Sequence, residues 1–273
     1  MRKLLFFDID GTLCMPGTQP SPRTVATIRA ARAKGHKAFL STGRNLSGVP
    51  QAVSAIGFDG YITNAGASAQ VGDRMLVDEP LPKELLDRTL ALLRENDVCF
   101  ALQGGDDNYT DTAQNEAVKA KQPSDVLPYI QGFLDIIQLS DWDSHPGAVG
   151  YKICFVAPSR EHWERIRPMV ESDFSVTVFD NLFPNPYIIS GELNRHGVDK
   201  GKALQAICAY FGQTAEDAIA FGDSTNDSAM IEAAGLGCAM ENAQEEVKAI
   251  ADRICPHCAE DGVARTLEEL ELC

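Results

Sequence analysis

Apolar and polar positions come in blocks along this chain. Leu4-Leu5-Phe6-Phe7 is a short apolar run that stops at Asp8, the pattern of a strand buried on both faces of a parallel sheet. Helix punctuation follows. Ser21 is placed to cap, Pro22 suits the first helical position, Val25 and Ile28 share a face, and Gly35 ends the segment. A second strand is expected at Lys37–Leu40, a helix near Leu46–Ile56, and a third strand at Tyr61–Ile62. This β-α-β-α-β order implies parallel strands joined by right-handed crossovers.

The rhythm changes at Pro80 and Pro82. Beyond them the pattern predicts a helix (Lys83–Glu95), a strand (Val98–Leu102), a Gly/Asp-rich turn, a strand (Tyr151–Val156), a helix near Glu161–Val170, and strands near Val176–Phe179 and Tyr187–Ser190. That mixed order predicts a separate inserted domain. Alternation then resumes, with a helix from about Asp199 to Phe211, a strand at Ala218–Phe221, and a helix at about Asp227–Ala234. Short strands at Gly237–Met240 and Arg253–Cys255 enclose another helix. The expected architecture is α/β, a doubly wound parallel-sheet (Rossmann-like) core interrupted by an α+β domain. Residues 1–82 and 188–273 form the core in this division, and residues 83–187 the insertion.

Composition narrows the function. With 24 Lys and Arg against 39 Asp and Glu, the net charge is −15, which argues against coating nucleic acid or an anionic membrane. No span approaches the roughly 20 apolar residues that cross a bilayer. The apolar run at Leu4–Phe7 is also too short for a secretory signal. The eight cysteines are scattered, several inside apolar segments, so a reducing cytoplasm is expected.

Candidate chemistry sits just after the core strands, where open α/β sheets bind ligands. Asp8-Ile9-Asp10-Gly11-Thr12 follows the first strand, Ser41-Thr42-Gly43-Arg44 the second, Thr63-Asn64 the third, and Gly222-Asp223-Ser224-Thr225-Asn226-Asp227 the strand that resumes the core. With the first strand central and the resuming strand beside it, Asp8, Asp10, Asp223 and Asp227 converge. Two like charges about 4 Å apart cost roughly 4 kcal/mol at an effective dielectric near 20, so a hard cation is the natural remedy. An all-oxygen donor set favours magnesium over zinc. Thr42, the amide of Gly43 and Lys200 are placed to hold phosphate oxygens.

These four segments, with Lys200 in Gly197-Val198-Asp199-Lys200-Gly201, resemble the motifs of the haloacid dehalogenase-like (HAD) superfamily, in the same order. The long insertion is similar to the α/β cap of its Cof-type (type IIB) phosphatases. The resemblance implies a Mg²⁺-dependent hydrolase of small phosphorylated metabolites, sugar phosphates or phosphorylated cofactors, acting through an aspartyl-phosphate. It implies Asp8 as nucleophile and Asp10 as proton shuttle. Asp8, the Asp10 main-chain carbonyl, Asp223 and Asp227 would serve the metal, and Thr42, Gly43, Lys200 and Asn226 the phosphoryl group. Two segments depart from the family pattern: Asn64-Ala65-Gly66-Ala67 stands where Asn-Gly-Ala is usual, and Glu241 where Gly is usual.

Other features have plainer readings. Arg44 is read as a structural or loop partner, and Cys255-Pro256-His257-Cys258 as structural thiols rather than a redox pair or half a zinc site. Trp142 and His145 read as packing residues, and the helix face of Leu85, Leu86 and Leu90 as core. Competing functions are a phosphomutase of the same superfamily, a receiver-like signalling module, and a non-catalytic metabolite-binding protein. A second acid two residues beyond the nucleophile suits turnover rather than a lasting signal.

Overall fold

Leu4–Phe7 forms β1, and all four side chains are buried. The computed structural model describes residues 2–135, 139–179 and 188–273. Helix α1 (Pro22–Ala33) starts at Ser21, whose hydroxyl accepts from the Thr24 N–H at 3.0 Å. Strand β2 is Lys37–Ser41. The single helix expected near Leu46–Ile56 is instead a turn of 3₁₀ helix, Leu46–Gly48, followed by the short α2 (Gln51–Ser54). Pro50 separates them: it holds Val49 extended, as residues before proline are, and offers no N–H to continue a helix. Strand β3 (Gly60–Thr63) is followed by a hairpin the apolar pattern does not reveal, β4 (Ser68–Val71) and β5 (Arg74–Asp78). β5 is largely exposed, so its residues carry little apolar signal.

The chain divides into two compact units, residues 79–197 and the remainder. The 79–197 unit comprises α3 (Lys83–Glu95), β6 (Cys99–Gln103), β7 (Asn108–Thr110), α4 (Thr112–Ala120), α5 (Leu127–Asp135), β8 (Leu139–Asp141), β9 (Lys152–Ala157), α6 (Arg160–Val170), β10 (Phe174–Val178) and β11 (Ile189–Arg195). Its sheet runs β10-β11-β9-β6-β7-β8, antiparallel except between β7 and β8. Leu86 and Leu90 pack with Phe100, Phe155 and Trp163, while Leu85 is partly buried against them. Trp142 and His145 both lie against the Tyr109 ring, at 5.5 and 5.3 Å between centroids.

Part of the strand expected at Tyr187–Ser190 falls outside the described residues. The strand observed, β11, pairs antiparallel with β9 from Ile189 to Asn194, so it belongs to this sheet and not to the core. Gly191, Glu192 and Asn194 dilute its apolar signal, so the apolar pattern sets the boundary near residue 188, whereas the chain passes back to the core after Gly197.

The other unit resumes with α7 (Lys200–Tyr210), β12 (Ala218–Gly222), α8 (Ser228–Ala233), β13 (Leu236–Met240), α9 (Glu245–Ile250), β14 (Arg253–Cys255) and α10 (Gly262–Glu269). Its sheet order is β14-β13-β12-β1-β2-β3-β4-β5, parallel from β14 to β3. β1 therefore lies between β2 and β12, at the point where strand order reverses. Alternate residues face opposite sides. Phe7 stacks on Phe221 (5.2 Å) in a core with Ile28 of α1 and Leu267 of α10, and Phe6 stacks on Phe39 (4.9 Å) in a core with Leu204 and Ile207 of α7. Among the described residues no helix is long and apolar enough to cross a membrane.

The Phe7–Phe221 stack joins the two strands that carry the acidic loops. Phe221→Ala is expected to cost about 3–5 kcal/mol, read as a lower urea midpoint with unchanged slope. A loss below about 1 kcal/mol would contradict this packing.

Candidate active site

Asp8 continues β1, and its N–H donates to the Phe221 carbonyl at 3.0 Å, which holds the first acidic loop against β12. Asp223 and Asp227 follow β12. The Asp227 carboxylate is wholly buried; one oxygen accepts from the N–H groups of Asp223 (3.0 Å) and Ser224 (3.1 Å), which fixes the loop from inside. Its other oxygen accepts from Lys200 Nζ at 2.6 Å. Lys200 is the first residue of α7, capped by Asp199, whose carboxylate accepts from the Lys202 N–H at 2.8 Å. The same ammonium donates to Asp8 Oδ1 at 2.7 Å and to Asn226 Oδ1 at 3.3 Å. Asp8, Lys200, Asp223, Asn226 and Asp227 thus come together as the motifs suggest.

Close backbone approach makes this possible. Gly11 has φ +89°, and a Cβ there would lie 2.2 Å from an Asp223 carboxylate oxygen. Thr12 Oγ1 donates to Asp223 at 2.9 Å from the same turn. Gly66, at φ +103°, would bring a Cβ to 2.2 Å from the Asp199 carbonyl. The variant order Asn64-Ala65-Gly66 therefore places its glycine where the third loop meets the start of α7, while Ala65 takes a left-handed conformation (φ 56°). The Asn64 side chain is buried, with neither end of its amide partnered among the described residues.

The Asp10 side chain points elsewhere. Arg44 grips it as a fork, Nε to Oδ2 at 2.8 Å and Nη2 to Oδ1 at 2.9 Å, while Nη1 donates to the Gly48 carbonyl. Thr42 is buried, and its hydroxyl accepts from the Arg44 N–H at 3.1 Å; Gly43 lies between them.

Charge dominates the cluster. Burial pushes the Asp8 carboxyl well above the usual range; Lys200 opposes this, and Asp227 and Asp223 add to it. Burial, and then Asp227, push Asp223 up to about 7 against Thr12 and Lys200. Burial pulls the Lys200 ammonium down, but Asp227 and Asp8 together outweigh it and raise its pKa. Oxygens from Asp8, Asp223 and Asp227 all lie within 4.8 Å of one another. A hard divalent cation fits both the all-oxygen donor set and the unbalanced negative charge.

The profile of the haloacid dehalogenase-like hydrolases matches residues 5–267. The chain belongs to that family. A protein named HMP-PP phosphatase from Yersinia pseudotuberculosis serotype IB (strain PB1/+) is 28% identical over 277 residues, covering 98% of this chain and 94% of the relative. Among solved structures, the HAD subclass IIB sugar phosphatase BT4131 aligns with TM-score 0.77 and 25% identity over 99% of this chain and 100% of its own. BT1666 from Bacteroides thetaiotaomicron, at 23% identity, shares the fold with TM-score 0.81 over 100% of this chain and 96% of its own. This hydrolase stands among phosphatases.

Two residues of the hydrolase escaped the sequence reading as site components. Arg44 was legible only as a loop residue, because nothing in the sequence places it opposite Asp10. Asn242 donates to the Gly11 carbonyl at 2.7 Å and accepts from the Cys258 N–H at 3.0 Å, so it ties the first acidic loop to the Cys255–Cys258 segment. Glu241 accepts from the His257 N–H at 3.2 Å in the same seam. The Cys255–Cys258 segment thus has a structural place: Cys255 ends β14, and Cys258 Sγ lies 3.2 Å from Met15 Sδ.

The raised carboxyls predict a pH signature. In metal-free protein, folded Asp223 stays protonated where the unfolded chain has released that proton, so its contribution to stability falls as pH rises from the ordinary carboxylate range through about 7. Adding Mg²⁺ should then raise the melting temperature more at about pH 8 than at about pH 5. Equal increments at both pH values would contradict the charge imbalance.

Proposed function

We propose that this hydrolase is a Mg²⁺-dependent phosphatase of small phosphorylated metabolites, sugar phosphates or phosphorylated cofactors, working in the cytoplasm. The observation that carries the reading is the buried Asp8 carboxylate, held by Lys200 beside Asp223 and Asp227, with Asp10 two residues on. The relatives named HMP-PP phosphatase and sugar phosphatase support the substrate class. They also favour hydrolysis over a phosphomutase.

Asp8 attacks phosphorus, and the bond from phosphorus to the leaving oxygen breaks with its electron pair on that oxygen. Asp10 gives the oxygen its proton. Water then attacks the aspartyl-phosphate while Asp10 takes a proton back, releasing phosphate and restoring the Asp8 carboxylate. Lys200, Thr42, the Gly43 amide and Asn226 hold the phosphoryl oxygens. Asp8, Asp223 and the Asp10 main-chain carbonyl would hold magnesium, with Asp227 completing the acidic set from behind Lys200. The ion would neutralise charge on the transferring group. Asp227 has a second duty, because both its oxygens already hold Lys200 and the 223–224 loop.

Asp8→Asn should fold normally and lose Mg²⁺-dependent phosphate release, because an amide is a far poorer nucleophile; near-normal release would remove Asp8 from that role. Asp10→Asn should slow a sugar phosphate by about 10²–10⁴-fold, and p-nitrophenyl phosphate much less, since p-nitrophenolate leaves with little help. Equal losses on both substrates would rule out acid catalysis by Asp10.

A further inference from the structure

Beside Asp10 the core carries a cavity of about 630 Å³, lined by Asp10, Arg44, Thr18, Gln19, Gln51 and Ala52 among others. That volume is in the range of small-molecule sites and exceeds what a phosphoryl group alone requires. Thr18, Gln19 and Gln51 offer hydrogen-bonding groups, and Ala52 with its neighbours Pro50 and Ala55 offers apolar wall. Arg44 is the one cation among the lining residues and Asp10 the one anion, and they are locked together as a fork. A carboxylate with both oxygens engaged by one guanidinium is held in place. It must leave Arg44 to deliver a proton to a leaving oxygen.

We propose that this cavity is a leaving-group pocket on the core, and that it takes leaving groups carrying an anion of their own, a carboxylate or a second phosphoryl, which replaces Asp10 on Arg44. The inference rests on Asp10 being the proton shuttle. A neutral leaving group obliges Asp10 to abandon a part-buried guanidinium with nothing in return, which is unfavourable. An anionic one exchanges one charge-assisted fork for another, so release of Asp10 is linked to recognition of the ligand. Lys in place of Arg44 would keep the charge but lose the planar fork. Arg44 acts here as a specificity and positioning residue.

The test uses the full-length enzyme with Mg²⁺ and a matched pair of phosphomonoesters, 3-phosphoglycerate and glycerol 3-phosphate, which differ in a carboxylate against a hydroxymethyl group. The readout is the ratio of their kcat/KM values. Where turnover is slow, it is the ratio of their inhibition constants against p-nitrophenyl phosphate. Wild type should favour the carboxylate by about tenfold or more. Arg44→Gln should bring the ratio near one, because the anionic member loses its fork and the neutral member no longer has to part Asp10 from a guanidinium, and Arg44→Lys should restore part of it. Asp10→Asn should widen the ratio of inhibition constants, because the internal competitor for Arg44 is weakened. A wild-type ratio near one, or a preference that survives Arg44→Gln, overturns the proposal. The general-acid reading fails separately, by equal losses of sugar phosphate and p-nitrophenyl phosphate turnover in Asp10→Asn, whatever the ratio shows.

Discussion

The Lys200 ammonium is wholly buried between two carboxylates, and the rest of the site is arranged around it. A buried ammonium is tolerable only if it is paired and hydrogen-bonded. Asp227 at 2.6 Å, Asp8 at 2.7 Å and Asn226 at 3.3 Å supply those partners from loops after two adjacent strands. Lys200 reaches them because α7 starts where Gly66 lets the third loop press on Asp199. Remove the ammonium and three carboxylates face one another with, among the described residues, no other cation paired to Asp8 or Asp227. Keep it and the negative charge is still in excess, which suits a divalent ion.

The four acids have different surroundings and so are suited to different work. Asp227 is enclosed and spends its oxygens on Lys200 and backbone N–H groups, so it acts as an anchor. Asp8 shares that ammonium from the front. Asp223 sits against Gly11 and Thr12, with its carboxyl raised to about 7 by burial and by Asp227. Asp10 is set apart from the cluster by Arg44.

Much of this was legible in the sequence because parallel α/β folds place ligand-binding residues where strands end. Runs such as Leu4–Phe7 and Ala218–Phe221 mark the strands, and the residues after them mark the site. What stayed illegible depends on three-dimensional pairing. The Arg44–Asp10 fork spans 34 residues and the Asn242–Gly11 bond 231, and neither leaves a periodic trace. The β4–β5 hairpin leaves little apolar signal because β5 faces solvent, and the expected strand ends at Ser190 rather than Arg195 because Gly191, Glu192 and Asn194 break the apolar pattern of β11. Pro50 had the opposite effect: the apolar spacing near Leu46–Ile56 suggested one helix, and the missing N–H cut it in two.

The central claim is that the carboxylate held by Lys200 is the group that receives the phosphoryl. Quenching the working enzyme in acid during turnover and mapping the phosphorylated peptide by mass spectrometry tests it most directly. The account predicts a hydroxylamine-sensitive acyl phosphate on Asp8, absent without Mg²⁺. Phosphate on another residue, or steady turnover with no phosphoenzyme under conditions that trap acyl phosphates, would contradict it.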